Sequence, residues 1–175
     1  IARLAVKDIQ DAKALRVIKQ KVAIPIVADI HFDWRLAIAA IDSGVDKIRL
    51  NPGNIYKKEQ VREIAKAAKL AHIPIRVGLN SGSLIGHKPQ ATSRQSLADR
   101  MVKSALDYIK TLEKCGFYEI VVSLKASNIF DTIEAYRKMS RFCGYPFHLG
   151  VTATGSVYSG VIKSTAALSI LLLEG

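Results

Sequence analysis

Basic side chains recur within short apolar segments of this sequence. Arg49, Arg76 and Lys125 each lie in a run of Ile, Val and Leu residues, and Arg3 lies in a similar run at the start of the chain. Burying such cations without partners would be very costly. Guanidinium groups bind phosphate through paired hydrogen bonds, whereas an ammonium group acts as a point charge. The four cations together predict a site for a ligand with several negatively charged oxygens.

More polar residues accompany these cations at a spacing of two, which places side chains on one face of a strand. The candidate substrate-binding residues are Arg3, Asp29, His31, Arg49, Asn51, Arg76, Asn80, Ser123, Lys125 and Thr152. Gly78 and Gly150 leave room on the same face. Each group could instead pair with Asp29 or with the backbone, but one carboxylate cannot neutralise three or four cations.

An alternating Asp-x-His-x-Asp pattern, formed by Asp29, His31 and Asp33, has two interpretations. Histidine and carboxylate are suitable metal ligands. Asp33 is better placed to cap the helix that follows, so we expect no metal site in this chain. Cys115 and Cys143 are far apart without a C-x-x-C motif, and we expect them to be core thiols.

Six predicted strands alternate with six amphipathic helices, a pattern typical of a parallel sheet. The strands are Ile1–Val6, Ile26–His31, Lys47–Asn51, Ile75–Asn80, Glu119–Lys125 and His148–Thr152. The helices start after Asp8 and after Asp33, span Lys57–Ala71 and Ser93–Lys114, carry the stripe Ile129, Ile133, Tyr136 and Met139, and span Ser159–Leu173. The loosest segment is Ser81–Arg94.

Two α/β architectures fit this order, an open doubly wound sheet and a (β/α)₈ barrel of which this chain holds about six units. Parallel strands covered on both faces are nearly continuous in apolar residues. Here each strand has polar groups on one face, and we expect these towards its carboxyl end, where barrel enzymes have their active sites. We therefore predict a single partial barrel domain over residues 1–175.

Composition narrows the class of protein. The chain has 175 residues with 49% hydrophobic residues and a net charge of +11. The charge alone would suit nucleic acid. However, no basic run of five occurs and aromatic residues are only 7%, so we expect no nucleic-acid partner.

With no signal peptide and no run long enough to span a bilayer, we expect a cytoplasmic protein without a membrane partner. The abrupt ends suggest a piece of a longer protein.

Five motifs in order resemble one family over nearly the whole chain. They lie at Val27–Asp33, Lys47–Asn54, Ile73–Ser83, Val121–Ser127 and His148–Thr152. The family is hydroxymethylbutenyl diphosphate synthase, often called IspG or GcpE. The resemblance implies a barrel like that of dihydropteroate synthase, followed by a small domain with a [4Fe–4S] cluster. It also implies a homodimer, in which the cluster of one subunit closes over its partner's barrel, and flavodoxin or ferredoxin as electron donor.

The resemblance also implies a substrate and a reaction. The family reductively converts 2-C-methyl-D-erythritol 2,4-cyclodiphosphate to 4-hydroxy-3-methylbut-2-enyl diphosphate in non-mevalonate isoprenoid biosynthesis. Arg3, Arg49, Arg76 and Lys125 match the positions that hold the diphosphate. The other residues named above, from Asp29 to Thr152, match polar positions around the same substrate.

Two departures from the family pattern bear on catalysis. Neither Cys115 nor Cys143 matches a cluster ligand, so the ligands of the [4Fe–4S] cluster are not in this chain. The family usually reads Thr-Glu-Ala-Gly where this chain reads Thr152-Ala-Thr-Gly, and Ala153 cannot transfer a proton. We therefore expect the chain alone to bind substrate without turning it over.

Two alternatives remain open at this stage. One is a pterin- or sugar-phosphate-binding barrel enzyme that uses Asp29 and His31 for proton transfer. The other is a basic nucleic-acid-binding module, whose affinity would fall steeply with salt.

Overall fold

The computed structural model describes residues 1–84 and 95–175. Five parallel strands form one sheet, namely β1 (Ala2–Val6), β2 (Ile26–Ile30), β3 (Lys47–Leu50), β4 (Ile75–Asn80) and β5 (Ile120–Lys125). The helices are α1 (Ile9–Lys21), α2 (Arg35–Asp42), α3 (Lys58–Leu70), α4 (Leu97–Lys114), α5 (Ile129–Ser140) and α6 (Val157–Leu173). Within these ranges no helix has the length and apolar character needed to cross a membrane.

The order of the strands decides between the two predicted architectures. In the sheet, the strands lie in the order β1-β2-β3-β4-β5, so each crossover returns beside the strand it left. A doubly wound sheet reverses its strand order at a switch point, whereas a barrel keeps the chain order. The prediction of a TIM-barrel-like fold is therefore confirmed.

The two faces of the sheet differ in character. The apolar face consists of alternate strand residues, and Ala28, Ile48 and Val77 on it are fully buried. The helices cover this face with stripes at spacings of three and four, such as Met101, Ala105, Tyr108 and Leu112 of α4. The hydrophobic core therefore lies between the strands and the helices, which leaves the opposite face to the polar residues.

Helix starts follow the capping residues of the sequence. The carboxylate of Asp8 accepts hydrogen bonds from two backbone N–H groups in the first turn of α1. Asp33 accepts one from the N–H of Arg35 at 3.0 Å, as a cap does, although α2 begins only at Arg35. Ser96 and Asp99 form a capping box that starts α4. The predicted start at Ser93, like residues 85–94 of the predicted loop, lies outside the described residues.

The predicted sixth strand, His148–Thr152, is not formed. The segment 146–152 runs beside β5 but pairs with it only at an isolated bridge between Val122 and Phe147. Beyond that bridge, the hydroxyl of Tyr136 lies between the two segments. It binds the N–H of Leu124 and the carbonyl oxygen of His148, which would otherwise form the next hydrogen bond of the ladder. Alternation of polar and apolar residues predicted a strand here, but it could not reveal a side chain inserted from a helix.

Candidate functional site

Strand register brings the predicted cations together on the polar face. Asp29 of β2 is paired with Arg49 of β3, and Arg49 is paired with Arg76 of β4. At the carboxyl end of β4, Asn80 is paired with Lys125 of β5. Neighbouring strands lie roughly 4.8 Å apart, so paired residues present adjacent side chains.

The polar groups extend along the strands and are not confined to the carboxyl ends, where we expected them from the sequence. Arg3 and Arg76 are each the second residue of their strand, whereas Asn80 and Lys125 are the last. Long side chains can lie along the strand direction. Arg3, Arg49, Arg76 and Lys125 therefore form a strip of positive charge along the sheet, which we call the cationic band.

Asp29 anchors one side of this band. Nη1 of Arg49 donates to Oδ1 of Asp29 at 3.0 Å, and Nη2 of Arg49 donates to the carbonyl oxygen of Gly78 at 2.7 Å. Arg3 lies 3.4 Å from the other carboxylate oxygen, with its side chain 54% exposed, against 8% for Arg49. Arg49 is therefore fixed and buried, whereas Arg3 lies at the rim.

No carboxylate among the described residues forms an ion pair with Arg76 or Lys125. Arg76 is 5% exposed, and its Nε has no hydrogen-bond partner among those residues. Burial, followed by the charges of Arg3 and Arg49, lowers the pKa of Arg76 to about 10. Burial and the three arginines also lower the pKa of Lys125. Arg76 therefore stays cationic at neutral pH, so the band attracts an anion.

Lys47 and His148 belong to the same electrostatic environment, although neither is among the predicted site residues. Burial and then Arg76 lower the pKa of Lys47. Burial, followed by Arg76, Lys125, Lys47 and Arg3, lowers the pKa of His148 to about 4. Strand parity places both on the polar face, since Lys47 is two residues before Arg49 and His148 is two before Gly150.

Two glycines allow the cations to lie close to the backbone. A Cβ atom on Gly78 would lie 2.5 Å from Nε of Arg49. A Cβ atom on Gly150 would lie 2.7 Å from Nζ of Lys125. The prediction that these glycines leave room on the polar face is confirmed, and the room is taken by the aliphatic parts and charged ends of the two cations.

The remaining predicted site residues lie around the band. His31 and Asn51 come just after β2 and β3, one residue beyond the strand ends. Nδ1 of His31 is buried without a hydrogen-bond partner among the described residues. Asn51 is buried and accepts a hydrogen bond from the N–H of Gly53. Its amide therefore shapes the loop after β3.

Asn80, Ser123 and Thr152 lie near the last residues of their segments. The N–H of Asn80 donates to Oγ of Ser83 at 3.1 Å, which fixes the 3₁₀ turn Ser81–Ser83 after β4. Ser123 is buried opposite Gly78. The N–H of Thr152 donates to the carbonyl oxygen of Ala126, so the segment is tied to the end of β5. Ala153, next to it, has the left-handed φ of 52°.

No residues on this face form a metal centre within the described ranges, where no group of three or more His, Cys, Asp or Glu side chains comes together. Asp33 pairs with Arg35 instead of joining Asp29 and His31. Cys115 and Cys143 are half-buried in the connections that precede β5 and the segment 146–152. The arrangement is suited to bind and orient a polyanion.

Solved structures similar to this chain show the fold alone. Dihydropteroate synthase from Clostridium difficile matches 96% of this chain and 64% of its own with a TM-score of 0.59 and 18% identity. The carboxyl transferase domain of Rhizobium etli pyruvate carboxylase matches 90% of this chain and 28% of its own, with a TM-score of 0.57 and 13% identity. The expected likeness to the dihydropteroate synthase barrel is confirmed.

Sequence relatives are much closer. Proteins named 4-hydroxy-3-methylbut-2-en-1-yl diphosphate synthase (flavodoxin) match all 175 residues, with 52% identity in Listeria monocytogenes and 49% in Lysinibacillus sphaericus. The protein of that name from Fusobacterium nucleatum is 46% identical over the same 175 residues, which are 49% of its length. The chain spans 47% of the length of the first two relatives, or about half. The model of the GcpE TIM-barrel domain matches residues 1–175, and the chain belongs to that family.

Proposed function

We propose that the cationic band binds the diphosphate of a small cyclic substrate, and that the protein is a 4-hydroxy-3-methylbut-2-en-1-yl diphosphate synthase. The substrate would be 2-C-methyl-D-erythritol 2,4-cyclodiphosphate, which the enzyme converts reductively to 4-hydroxy-3-methylbut-2-enyl diphosphate in isoprenoid biosynthesis. The observation that carries the proposal is the unpaired positive charge of the buried Arg76 and the half-buried Lys125 and Lys47. No ion pair within the described residues involves Arg76, Lys125 or Lys47. A diphosphate supplies the several negative oxygens that this charge requires.

The side chains of this face divide the task of binding. Arg49 is held in place by Asp29 and by the carbonyl oxygen of Gly78, so it is oriented before the ligand arrives. Arg76 and Lys125 keep free hydrogen-bond donors for phosphate oxygens. His31, Asn51, Asn80, Ser123 and Thr152 supply neutral polar groups for the rest of the substrate. Groups fixed in advance bind without the cost of ordering them, which favours a single orientation of the substrate.

The reductive chemistry needs electrons that this part of the protein does not supply. A [4Fe–4S] cluster is held by cysteine thiolates, typically four. Cys115 and Cys143 are the two cysteines of the chain, they lie in separate helix–strand connections, and they do not fit such a cluster. We therefore assign to residues 1–175 a partial barrel domain that binds substrate, and we place the cluster in another part of the protein.

The proposed partners and location rest on the same family membership. The relatives' names include flavodoxin, and we propose flavodoxin or ferredoxin as the electron donor in the cytoplasm. A homodimer would let the cluster domain of one subunit cover the barrel of the other. Ala153 offers no proton donor at the position where the family has glutamate, so residues 1–175 are proposed to bind without catalysing turnover.

A pterin or sugar-phosphate enzyme that uses Asp29 as a proton acceptor is less consistent with the geometry. Both carboxylate oxygens of Asp29 face a guanidinium group, Oδ1 that of Arg49 at 3.0 Å and Oδ2 that of Arg3 at 3.4 Å. Both oxygens of Asp29 are thus engaged in ion pairs within the band.

Thermal unfolding with and without the cyclic diphosphate tests the proposal. A ligand that binds only the folded state stabilises it by about 2.7 kcal/mol at a hundredfold excess over Kd. We expect a higher midpoint that Arg76→Ala abolishes and that Arg62→Ala, on the exposed surface of α3, leaves intact. A cooperative transition that the ligand does not move would contradict the proposal.

A further inference from the structure

Tyr136 reaches the sheet from α5 and joins two chain segments. Its hydroxyl oxygen accepts a hydrogen bond from the N–H of Leu124 in β5 at 3.0 Å. The same hydroxyl donates to the carbonyl oxygen of His148 at 2.7 Å. The ring is 1% exposed and packs against Phe147, with the ring centroids 5.5 Å apart. The side chain is therefore fixed at both its ring and its hydroxyl.

The hydroxyl occupies the place of one ladder hydrogen bond. Before it, the N–H of Val122 donates to the carbonyl of Pro146 at 3.0 Å, and the N–H of His148 donates to the carbonyl of Val122 at 2.8 Å. In a regular parallel ladder, the N–H of Leu124 would then donate directly to the carbonyl of His148. Both groups bind Tyr136 instead. The segment 146–152 is thus spaced from β5 by one hydroxyl group at this level.

The gap between the segment 146–152 and β5 lies next to the cationic band. Ser123, next to Leu124, and His148 both lie on the polar face. Burial raises the pKa of Tyr136 to about 12, whereas the N–H of Leu124, the Ser123 hydroxyl and the Arg76 guanidinium act to lower it. The phenol therefore stays protonated at neutral pH and remains a donor to His148, close to the charges of the site.

We propose that Tyr136 is a positioning residue, whose hydroxyl holds the His148 backbone away from β5 and so places the His148 imidazole among Arg76, Lys125 and Lys47 at the anion site. The proposal deepens the proposed function, since it concerns the same face. It gives His148 a place beside the bound diphosphate, where a neutral imidazole can donate one hydrogen bond. Without the hydroxyl, Leu124 and His148 would bond directly, and the segment would move towards β5.

Thr132 provides the matched control. It lies one helical turn before Tyr136 and is also fully buried. Its hydroxyl bonds the backbone of Ala126, the residue after β5, and does not reach His148. Thr132→Val and Tyr136→Phe therefore each remove one buried hydroxyl between α5 and the end of β5. Only Tyr136→Phe removes the bridge to His148.

The experiment measures three properties of the wild-type protein and of both variants: the His148 imidazole titration by NMR, the Kd for inorganic pyrophosphate by calorimetry, and urea unfolding. We expect Tyr136→Phe to change the titration midpoint of His148 and to weaken pyrophosphate binding about fivefold, the value of one hydrogen bond. Thr132→Val should lower stability to a similar extent and leave the other two properties unchanged.

The outcomes separate this inference from the proposed function. If wild-type protein does not bind pyrophosphate, the proposed function fails, and the His148 titration alone decides the role of Tyr136. If Tyr136→Phe leaves the His148 midpoint unchanged, the positioning role is overturned even when pyrophosphate binds. Equal changes in Thr132→Val would also overturn it, because they would show that general packing of α5 is responsible.

Discussion

Gly150→Ala tests whether Lys125 binds the ligand, without altering any charge. The new Cβ atom would lie 2.7 Å from Nζ and 2.8 Å from Cε of Lys125. Non-bonded carbon atoms prefer separations of about 3.5–4.0 Å, so the end of the lysine side chain must move by about 1 Å. The side chain is flexible at this end and can swing away. The folded structure should therefore tolerate the methyl group.

The expected magnitude comes from the hydrogen bond that the displaced ammonium group would lose. A hydrogen bond to a charged group contributes about 1.5–3 kcal/mol. Since about 1.4 kcal/mol is a factor of ten in Kd, Gly150→Ala should weaken diphosphate binding by about 10- to 150-fold. Stability should fall by less than about 1 kcal/mol, below the usual range for overpacking a rigid core.

Calorimetric titration with the cyclic diphosphate, together with urea unfolding, measures both quantities. Gly144→Ala is the matched control, because a Cβ atom there meets nothing within 4 Å. It should leave the affinity unchanged. If Gly150→Ala binds the ligand as tightly as the wild type, the position of Lys125 does not matter for binding, and its assignment as a diphosphate ligand is refuted.

Three further predictions follow from the same geometry. Gly78→Ala should lower stability by about 1–3 kcal/mol in urea unfolding, because its Cβ would meet an Arg49 side chain that is fixed by two hydrogen bonds; an unchanged midpoint would contradict the rigidity of Arg49. Arg3→Ala should weaken diphosphate binding less than Arg76→Ala, since Arg3 is 54% exposed and screened by salt; the reverse order in calorimetry would refute the depth assigned to the two groups. The pKa of His148 falls from 6.5 to about 4 on folding. As the pH falls from about 6.5 to 4, the unfolded state is protonated before the folded state, so the free energy of unfolding decreases. Stability measured against pH should therefore decline less steeply in this window for His148→Asn, and identical slopes would contradict the low pKa.

The sequence was sufficient to predict the architecture because the signals are local and repeated. Apolar strands, capping residues such as Asp8, and helix stripes recur along the chain, and five of the six predicted strands are present within one or two residues at each end. The sixth failed for a non-local reason. The hydroxyl of Tyr136 comes from α5 and interrupts the pairing, and nothing within the segment 146–152 indicates this.

The polar face could be predicted in outline but not in its electrostatic detail. Strand parity correctly placed Arg49 and Arg76 on one face, since alternation depends only on the backbone. The sequence could not show that Asp29 is shared by Arg3 and Arg49, or that Arg76 is left unpaired, because those contacts depend on register between strands. Lys47 was left out although it lies two residues before Arg49, so that strand parity places it on the same face.

A structure of the protein bound to the cyclic diphosphate tests the central claim most directly. We expect phosphate oxygens within hydrogen-bond distance of the Arg76 guanidinium and the Lys125 ammonium, on the polar face of the sheet. Diphosphate bound instead at the exposed lysines of α3, or at any site that leaves Arg76 and Lys125 without contact, would contradict it.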